Sequence, residues 1–179
     1  MVRQIVIDTE TTGLDPLTGK HRVIEIALVE VIDNVVTGNS FQTYLYPQGK
    51  RSTKPAFRIH QIKDSFLVDK PLFKDCLDEV VNFIGDSELF FYNKNFDLKF
   101  LDHEALLAKS PVKFSLDYTS TCLMDYVTSK LGRKIKLDAA CRIYRIDTTK
   151  RKVHGALIDA QITADLLIAI NKNPEGVIT

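Results

Sequence analysis

Three apolar, β-branched segments in the first quarter of the chain constrain the fold more than any other feature. They cover residues 5–7, 23–32 and 41–46. Thr12-Gly13 follows the first segment as a turn signal, and Pro47 ends the third. Segments this short, separated by turn residues, are typical of neighbouring strands. We therefore expect two or three antiparallel strands joined by short connections.

The rest of the chain alternates helical patterns with one more strand. An apolar helical face spans residues 72–84, and ELFFY at residues 88–92 has the composition of a buried strand. Further helices are predicted from near Asp97, over 116–131, over 136–144 and over 156–170. Early strands followed by alternation indicate an α/β or α+β domain around one mixed sheet. With 179 residues, we expect one domain over 1–172 and a frayed tail over 173–179.

Composition excludes several classes of protein. The formal net charge is only +1, so the whole molecule does not attract nucleic acid. This disfavours a protein that coats DNA but not an enzyme that touches a few nucleotides. Three widely spaced cysteines predict neither a disulfide framework nor a zinc site. The N terminus lacks a signal peptide and no apolar run could cross a membrane, so the default expectation is a cytoplasmic protein without membrane contact.

Two acidic residues stand at the end of the first predicted strand. Asp8 and Glu10 are two apart, so their side chains share a face of the strand. Neighbouring carboxylates repel each other unless they face water or a cation lies between them. Mg²⁺ and Mn²⁺ prefer such oxygen ligands. Taken alone, the pair is better explained as two solvated residues at a strand end.

Three further residues change the interpretation of that pair. Alone, Asp97 would be a helix N-cap, Asp159 a first-turn acid and His154 a surface residue. Together with the pair, they form a set of four carboxylates and one histidine at strand ends and helix starts. This is the composition that two-metal phosphodiester hydrolysis requires. A histidine, whose unperturbed pKa is about 6.5, can take a proton from water at neutral pH.

These residues lie in three motifs that resemble those of the DEDDh (DnaQ-like) exonucleases. The motifs are DTETTG at 8–13, Asn93-x-x-Phe96-Asp97, and His154-Gly155-Ala156-Leu157-x-Asp159-Ala160, in the family's order. The similarity extends over residues 3–170. Segments 3–6, 24–26, 137–139 and 150–151 are most similar to the epsilon proofreading subunits of bacterial DNA polymerase III.

The resemblance implies an α/β, RNase H-like fold, with a mixed five-stranded sheet and helices on both sides in a single domain. It implies 3′→5′ removal of nucleoside 5′-monophosphates from single-stranded or frayed DNA 3′ ends. The matching positions would hold two divalent cations, Mg²⁺ or Mn²⁺, and His154 would be the general base. The implied metal ligands are Asp8, Glu10, Asp97 and Asp159.

The resemblance also implies residues that contact the substrate, namely Thr11, Thr12, Gly13, Leu14, His60, Asn93 and Phe96. Leu14 would wedge against the terminal base, and His60 would lie near the 3′-terminal sugar. As an alternative, His60 is an exposed loop residue. The basic run 150–152 would either hold phosphates or be a solvated loop, and Arg133, Lys134 and Lys136 would extend it. Tyr92 and Lys94 depart from the family, whose members usually carry His and Ala there.

The implied partners, besides the DNA 3′ end, are a polymerase III alpha subunit and a small accessory subunit. Epsilon subunits carry a flexible tail that docks on the polymerase, and this sequence ends soon after its last predicted helix, so attachment to a polymerase stays open. Two other functions also stay open. One is RNA 3′-end trimming or short-oligonucleotide hydrolysis by the same chemistry. The other is a catalytically inactive binding module, which would not need all five acidic and histidine residues.

Overall fold

A five-stranded mixed sheet forms the centre of the computed structural model, which describes residues 1–149, 151 and 153–174. Strands β1 (Arg3–Thr11), β2 (Val23–Ile32) and β3 (Val35–Tyr44) are antiparallel neighbours. Strands β4 (Glu88–Phe91) and β5 (Ser120–Cys122) extend the sheet in parallel on the other side of β1. The order β3-β2-β1-β4-β5 confirms the predicted mixed sheet and places β1 at its centre.

Helices connect the strands and cover the sheet. In chain order they are α1 (Lys54–His60), α2 (Phe73–Ile84), α3 (Lys94–Leu107), α4 (Phe114–Asp117), α5 (Leu123–Leu131), α6 (Leu137–Ile143) and α7 (Ala156–Lys172). A 3-10 turn spans Asp64–Phe66. No helix within the described ranges is long and apolar enough to span a membrane.

The alternation of side chains along β1 builds two separate cores. Ile5 and Ile7 pack with α2 and α3 on one face, whereas Val6 packs with α5, α6 and α7 on the other. Helices therefore cover both faces of the sheet, as predicted. Because the alternation continues along the strand, Asp8 and Glu10 belong to the face that α7 covers.

Strand β2 has the predicted bounds, whereas β1 and β3 are longer than the sequence pattern indicates. The third strand begins at Val35 instead of residue 41, directly after a two-residue turn at Asp33 and Asn34. Both turn residues have positive φ, 49° and 63°, as a tight hairpin of right-handed strands requires. The Asp-Asn pair was the available signal, but β3 is largely exposed and lacks the apolar alternation that would have marked it.

Two other segments differ from the sequence-based assignment. Residues 116–131, predicted as one helix, contain the end of α4, strand β5 and helix α5, because residues 120–122 pair with β4. Such pairing depends on a strand distant in sequence. Helix α1 lies in a segment where no helix was predicted; Thr53 caps it by accepting the Ala56 N–H, and Pro55 stands in its first turn. Of the predicted tail over 173–179, residues 175–179 lie outside the described residues.

Candidate active site

The carboxyl end of β1 opens into a cavity of about 840 Å³. All five predicted catalytic residues line it: Asp8, Glu10, Asp97, His154 and Asp159. Six predicted substrate contacts line it as well: Thr11, Gly13, Leu14, His60, Asn93 and Phe96. The remaining one, Thr12, is fully buried and outside the lining. Its hydroxyl accepts the Arg22 N–H and lies 3.0 Å from His21 Nδ1, so Thr12 holds the loop after β1 against residues 21 and 22.

Asp97 lies on a helix but is hydrogen-bonded to the central strand β1. It lies in the first turn of α3, four residues after the N-cap position Asn93, so the N-cap interpretation is wrong. Its Oδ1 accepts the Thr9 hydroxyl at 2.8 Å and the Thr9 N–H at 3.1 Å. Both hydrogen bonds are buried. They fix the Asp97 carboxylate against Thr9 of the central strand, the residue between Asp8 and Glu10.

Asp159 and His154 approach from the opposite layer. Asp159 stands in the first turn of α7, and His154 precedes that helix in a loop, both as predicted. His154 Nδ1 lies 3.0 Å from Asp159 Oδ2. Glu10, His154 and Asp159 each offer one ligand atom, and these atoms lie within 4.8 Å of one another. The three residues could therefore hold a metal ion.

The acidic cluster is short of positive charge. Burial, followed by the charges of Asp97, Asp159 and Glu10, raises the pKa of Asp8 well above its usual value. Burial and the neighbouring carboxylates raise the pKa of Glu10 to about 8. Burial also raises the pKa of Asp97 to about 7, against the lowering effect of the Thr9 hydrogen bonds. A divalent cation bound by oxygen and imidazole ligands would offset the repulsion among these carboxylates, so the residues present fit such an ion.

These raised pKa values predict how the stability of the metal-free protein depends on pH. A group whose pKa is higher in the folded state binds more protons there, so folding is favoured at low pH. For Glu10, stability should be lost as pH rises from about 4.5 to about 8. Urea unfolding in EDTA between these limits measures the slope. Glu10→Gln should flatten it, and a slope of opposite sign in the parent protein would contradict the assignment.

Glu25 is a site residue that the sequence reasoning did not single out. It faces Glu10 across the β1–β2 pair and is only 1% exposed. Its Oε2 accepts the N–H of Ala156, the first residue of α7, at 3.1 Å, and its Oε1 accepts from Gln42 at 2.6 Å. Glu25 therefore holds the first residue of α7, the helix that carries Asp159, against β2 at the position that faces Glu10. The signal available in the sequence was an acidic residue within a strand of apolar residues.

Removing the Glu25 carboxylate should loosen this attachment. Glu25→Ala leaves the buried Ala156 N–H without its acceptor, which should lower the free energy of unfolding by about 1–3 kcal/mol. Urea denaturation measures the loss. Glu79→Ala, an exposed change on α2, is the matched control and should stay within about 0.5 kcal/mol of the parent. An equal effect of both changes would refute the attachment.

The loop after β1 is shaped by a close contact at Gly13. A Cβ atom at this position would lie 2.4–2.6 Å from three ring atoms of His21, so only glycine allows the loop to close on that ring. Leu14 follows at the cavity, 79% exposed, and Lys99 Nζ holds the neighbouring Asp15 at 3.0 Å. The loop is thereby tied to α3, with an apolar side chain presented to the cavity.

His60 is the last residue of α1 and is 4% exposed, so the alternative of an exposed loop histidine is wrong. Its Nδ1 accepts the Ile62 N–H at 2.9 Å. In the neutral ring the proton must therefore be on Nε2. Burial lowers the pKa of His60, which favours this neutral form. Among the described residues, Nε2 has no hydrogen-bond partner, which leaves a donor for a ligand.

The departures from the family pattern make contacts away from the acidic cluster. The Tyr92 hydroxyl donates to the Ile135 carbonyl at 2.7 Å, and Lys94 Nζ donates to the Ser120 carbonyl at 3.1 Å. Tyr92 therefore ties the residue after β4 to the segment before α6, and Lys94 ties the start of α3 to β5. In the predicted basic patch, Lys150 and Lys152 lie outside the described residues, whereas Arg151 lines the cavity.

Comparisons with known proteins agree with this geometry. The family model described as Exonuclease (RNase_T) matches residues 5–167. A solved structure of exonuclease X in complex with 5′ overhanging duplex DNA superposes with a TM-score of 0.74 at 26% identity, over 97% of this chain and 95% of that one. A structure of exonuclease I has a TM-score of 0.81 at 16% identity, over 96% of this chain and 41% of that one, and shares the fold.

The fold and the acidic cavity define a nuclease of the RNase H-like exonuclease class. Subunit epsilon of DNA polymerase III from Rickettsia prowazekii is 41% identical over 172 residues, which are 94% of this chain and 74% of that protein. The subunit from Escherichia coli is 41% identical over 176 residues, 95% and 72% of the two chains. The chain belongs to the exonuclease family, among the epsilon subunits of DNA polymerase III. The predicted family is thus confirmed, and with it an enzyme that depends on divalent metal.

Proposed function

We propose that this chain removes nucleoside 5′-monophosphates, one at a time, from single-stranded or frayed 3′ ends of DNA. As an epsilon-like proofreading subunit, it would act through an exonuclease domain over residues 1–172. The convergence of four carboxylates and His154 on one cavity carries this proposal. The names of the epsilon relatives and the DNA complex of exonuclease X support DNA as the substrate.

Two divalent cations, Mg²⁺ or Mn²⁺, would be held by Asp8, Glu10, Asp97 and Asp159. When bound, they would neutralise the scissile phosphate and the developing charge of the leaving oxygen. The raised pKa values of Asp8 and Glu10 support this assignment, because cations would replace protons that the cluster otherwise retains. Asp97, fixed by Thr9, and Asp159, at the start of α7, supply ligands from opposite faces of the sheet.

His154 would act as the general base. It takes a proton from the attacking water while the water oxygen bonds to phosphorus, and the 3′ oxygen leaves and is protonated from solvent. The proximity of His154 Nδ1 to Asp159 Oδ2 supports this role, because a proton on Nδ1 could be donated to that oxygen and Nε2 would then be free to accept another. Its side chain is 41% exposed, so water reaches the ring.

The terminal nucleotide would be held mainly by contacts that do not read its sequence. Leu14 and Phe96 offer apolar surfaces for the base, and stacking of this kind accepts any base. His60 would donate its Nε2–H, which has no partner in the described part of the chain, to an oxygen of the terminal nucleotide. The backbone of Thr11 and Gly13 and the side chain of Asn93 would complete the pocket, with Thr12 holding the loop after β1 in place. Selection of mispaired ends then follows from how readily they unpair.

Loss of a metal ligand should abolish hydrolysis. Asp8→Ala should reduce release of mononucleotides from a 5′-labelled single-stranded DNA to near background in Mg²⁺ or Mn²⁺, and EDTA should do the same to the parent protein. Asp78→Ala, an exposed change on α2, is the matched control and should retain full activity. Full activity of Asp8→Ala, or activity that survives EDTA, would refute the metal assignment.

Loss of the base should slow the chemical step without removing the metal ligands. His154→Ala should lower kcat by about 10²- to 10⁴-fold, the usual contribution of a general base. Single-turnover kinetics with saturating enzyme measure this directly. If the change raised KM and left kcat unaltered, His154 would be a binding residue instead.

RNA hydrolysis by the same residues is the competing activity, because discrimination depends on contacts to the 2′-hydroxyl. DNA and RNA oligonucleotides of one sequence, with paired and mispaired 3′ ends, should be compared under identical conditions. Proofreading predicts a higher kcat/KM for DNA and, among duplexes, for mispaired ends. A preference for RNA would favour 3′-end trimming. The polymerase III alpha subunit and a small accessory subunit are proposed partners, supported by the names of the epsilon relatives.

A further inference from the structure

Arg151 contacts two of the three residues that could hold a metal ion, Asp159 and His154. Its Nε donates to Asp159 Oδ1 at 2.5 Å and its Nη2 lies 2.6 Å from Asp159 Oδ2. Its Nη1 forms an ion pair with Asp138 of α6. The Arg151 side chain is only 7% exposed. A guanidinium that covers both oxygens of one carboxylate is a strong and directional contact.

The same guanidinium also determines where the proton of His154 lies. Arg151 Nη2 is 2.6 Å from His154 Nδ1, and a guanidinium can only donate hydrogen bonds. Nδ1 must therefore accept, which places the proton of the neutral ring on Nε2. In that tautomer the ring nitrogen that faces away from Asp159 carries a proton and cannot take one from water. With Arg151 in this place, His154 is unsuited to act as a base.

A metal ion and Arg151 would compete for the same ligand atoms. Asp159 and His154, which Arg151 contacts, are two of the three residues whose ligand atoms lie within 4.8 Å of one another. A divalent cation beside a guanidinium on one carboxylate would place like charges in contact at a site of low exposure. Binding of the cation therefore favours departure of the guanidinium from Asp159.

We propose that Arg151 is a positioning residue that stands in for the metal in the metal-free protein, and that cation binding moves it off Asp159 and releases His154 into the tautomer that can act as a base. Once the guanidinium leaves, Nδ1 gains a proton and donates it to Asp159 Oδ2, while Nε2 loses its proton to solvent. The ring charge is unchanged. Asp138, which is 51% exposed and on a different helix, retains the displaced side chain near the cavity. This inference rests on the proposed metal site.

The test observes the two side chains directly in ¹⁵N-labelled protein, at a pH where His154 is neutral. Without metal, the His154 ring should show protonated Nε2, and the Arg151 Nε–H should show the shift and slow exchange of a buried hydrogen bond. Saturating Mg²⁺ should move the His154 proton to Nδ1 and abolish the protection of the Arg151 Nε–H. The signals are assigned by their absence in His154→Gln and Arg151→Lys.

Two substitutions separate the contact from the charge. Arg151→Lys keeps the charge but cannot cover both Asp159 oxygens, so it should bind Mn²⁺ about tenfold more tightly by calorimetry. Its His154 ring should carry the proton on Nδ1 even without metal. Arg145→Lys, at an exposed position, is the matched control and should behave as the parent protein.

Each outcome has a distinct meaning. If the parent protein binds no Mn²⁺, the proposed metal site fails. If it binds Mn²⁺ but the His154 tautomer and the Arg151 Nε–H do not respond to Mg²⁺, the metal site stands and the role of Arg151 is refuted. Mn²⁺ affinity in Arg151→Lys equal to or weaker than that of the parent would also refute it. The tautomer signal is independent of activity and of any general loss of stability.

Discussion

Repulsion among buried carboxylates at the end of β1 is the constraint on which the rest of the site depends. Burial raises the pKa of Asp8, Glu10 and Asp97, and repulsion from neighbouring carboxylates raises the pKa of Asp8 and Glu10 further. A cluster of this kind survives folding only if surrounding structure holds it together. The fold supplies that support from both faces of the sheet, and the chemistry uses the affinity for cations that the repulsion creates.

The support consists of a few specific contacts between elements distant in sequence. Thr9 binds Asp97 and joins β1 to α3, while Glu25 accepts the first N–H of α7 and joins that helix to the sheet. Arg151 links Asp159 to Asp138 and so joins α7 to α6. Each contact fixes the position of one catalytic group relative to another. Loss of any of them would alter the geometry of the cavity while the sheet itself persists.

Much of the fold and site could be predicted from the sequence because the motifs carry their own local structure. DTETTG follows a β-branched strand, and its alternation alone places Asp8 and Glu10 on one face. The hydrophobic periodicity of α2 and α7 locates both helices to within a few residues. Strand β5 was missed because it depends on pairing with β4, which is distant in sequence, and the start of β3 was missed because that strand is largely exposed and lacks an apolar alternation.

The sequence by itself determined the class of chemistry, since four carboxylates and a histidine in three ordered motifs are sufficient to predict hydrolysis at a metal site. Only the tertiary structure decided which neighbours act on them. It showed Glu25 against α7, a His60 Nε2 with no partner among the described residues, a buried Thr12, and Arg151 on Asp159 and His154. The physical reason is that charge, burial and hydrogen bonding act over a few ångströms in space, and separation along the chain does not measure that distance.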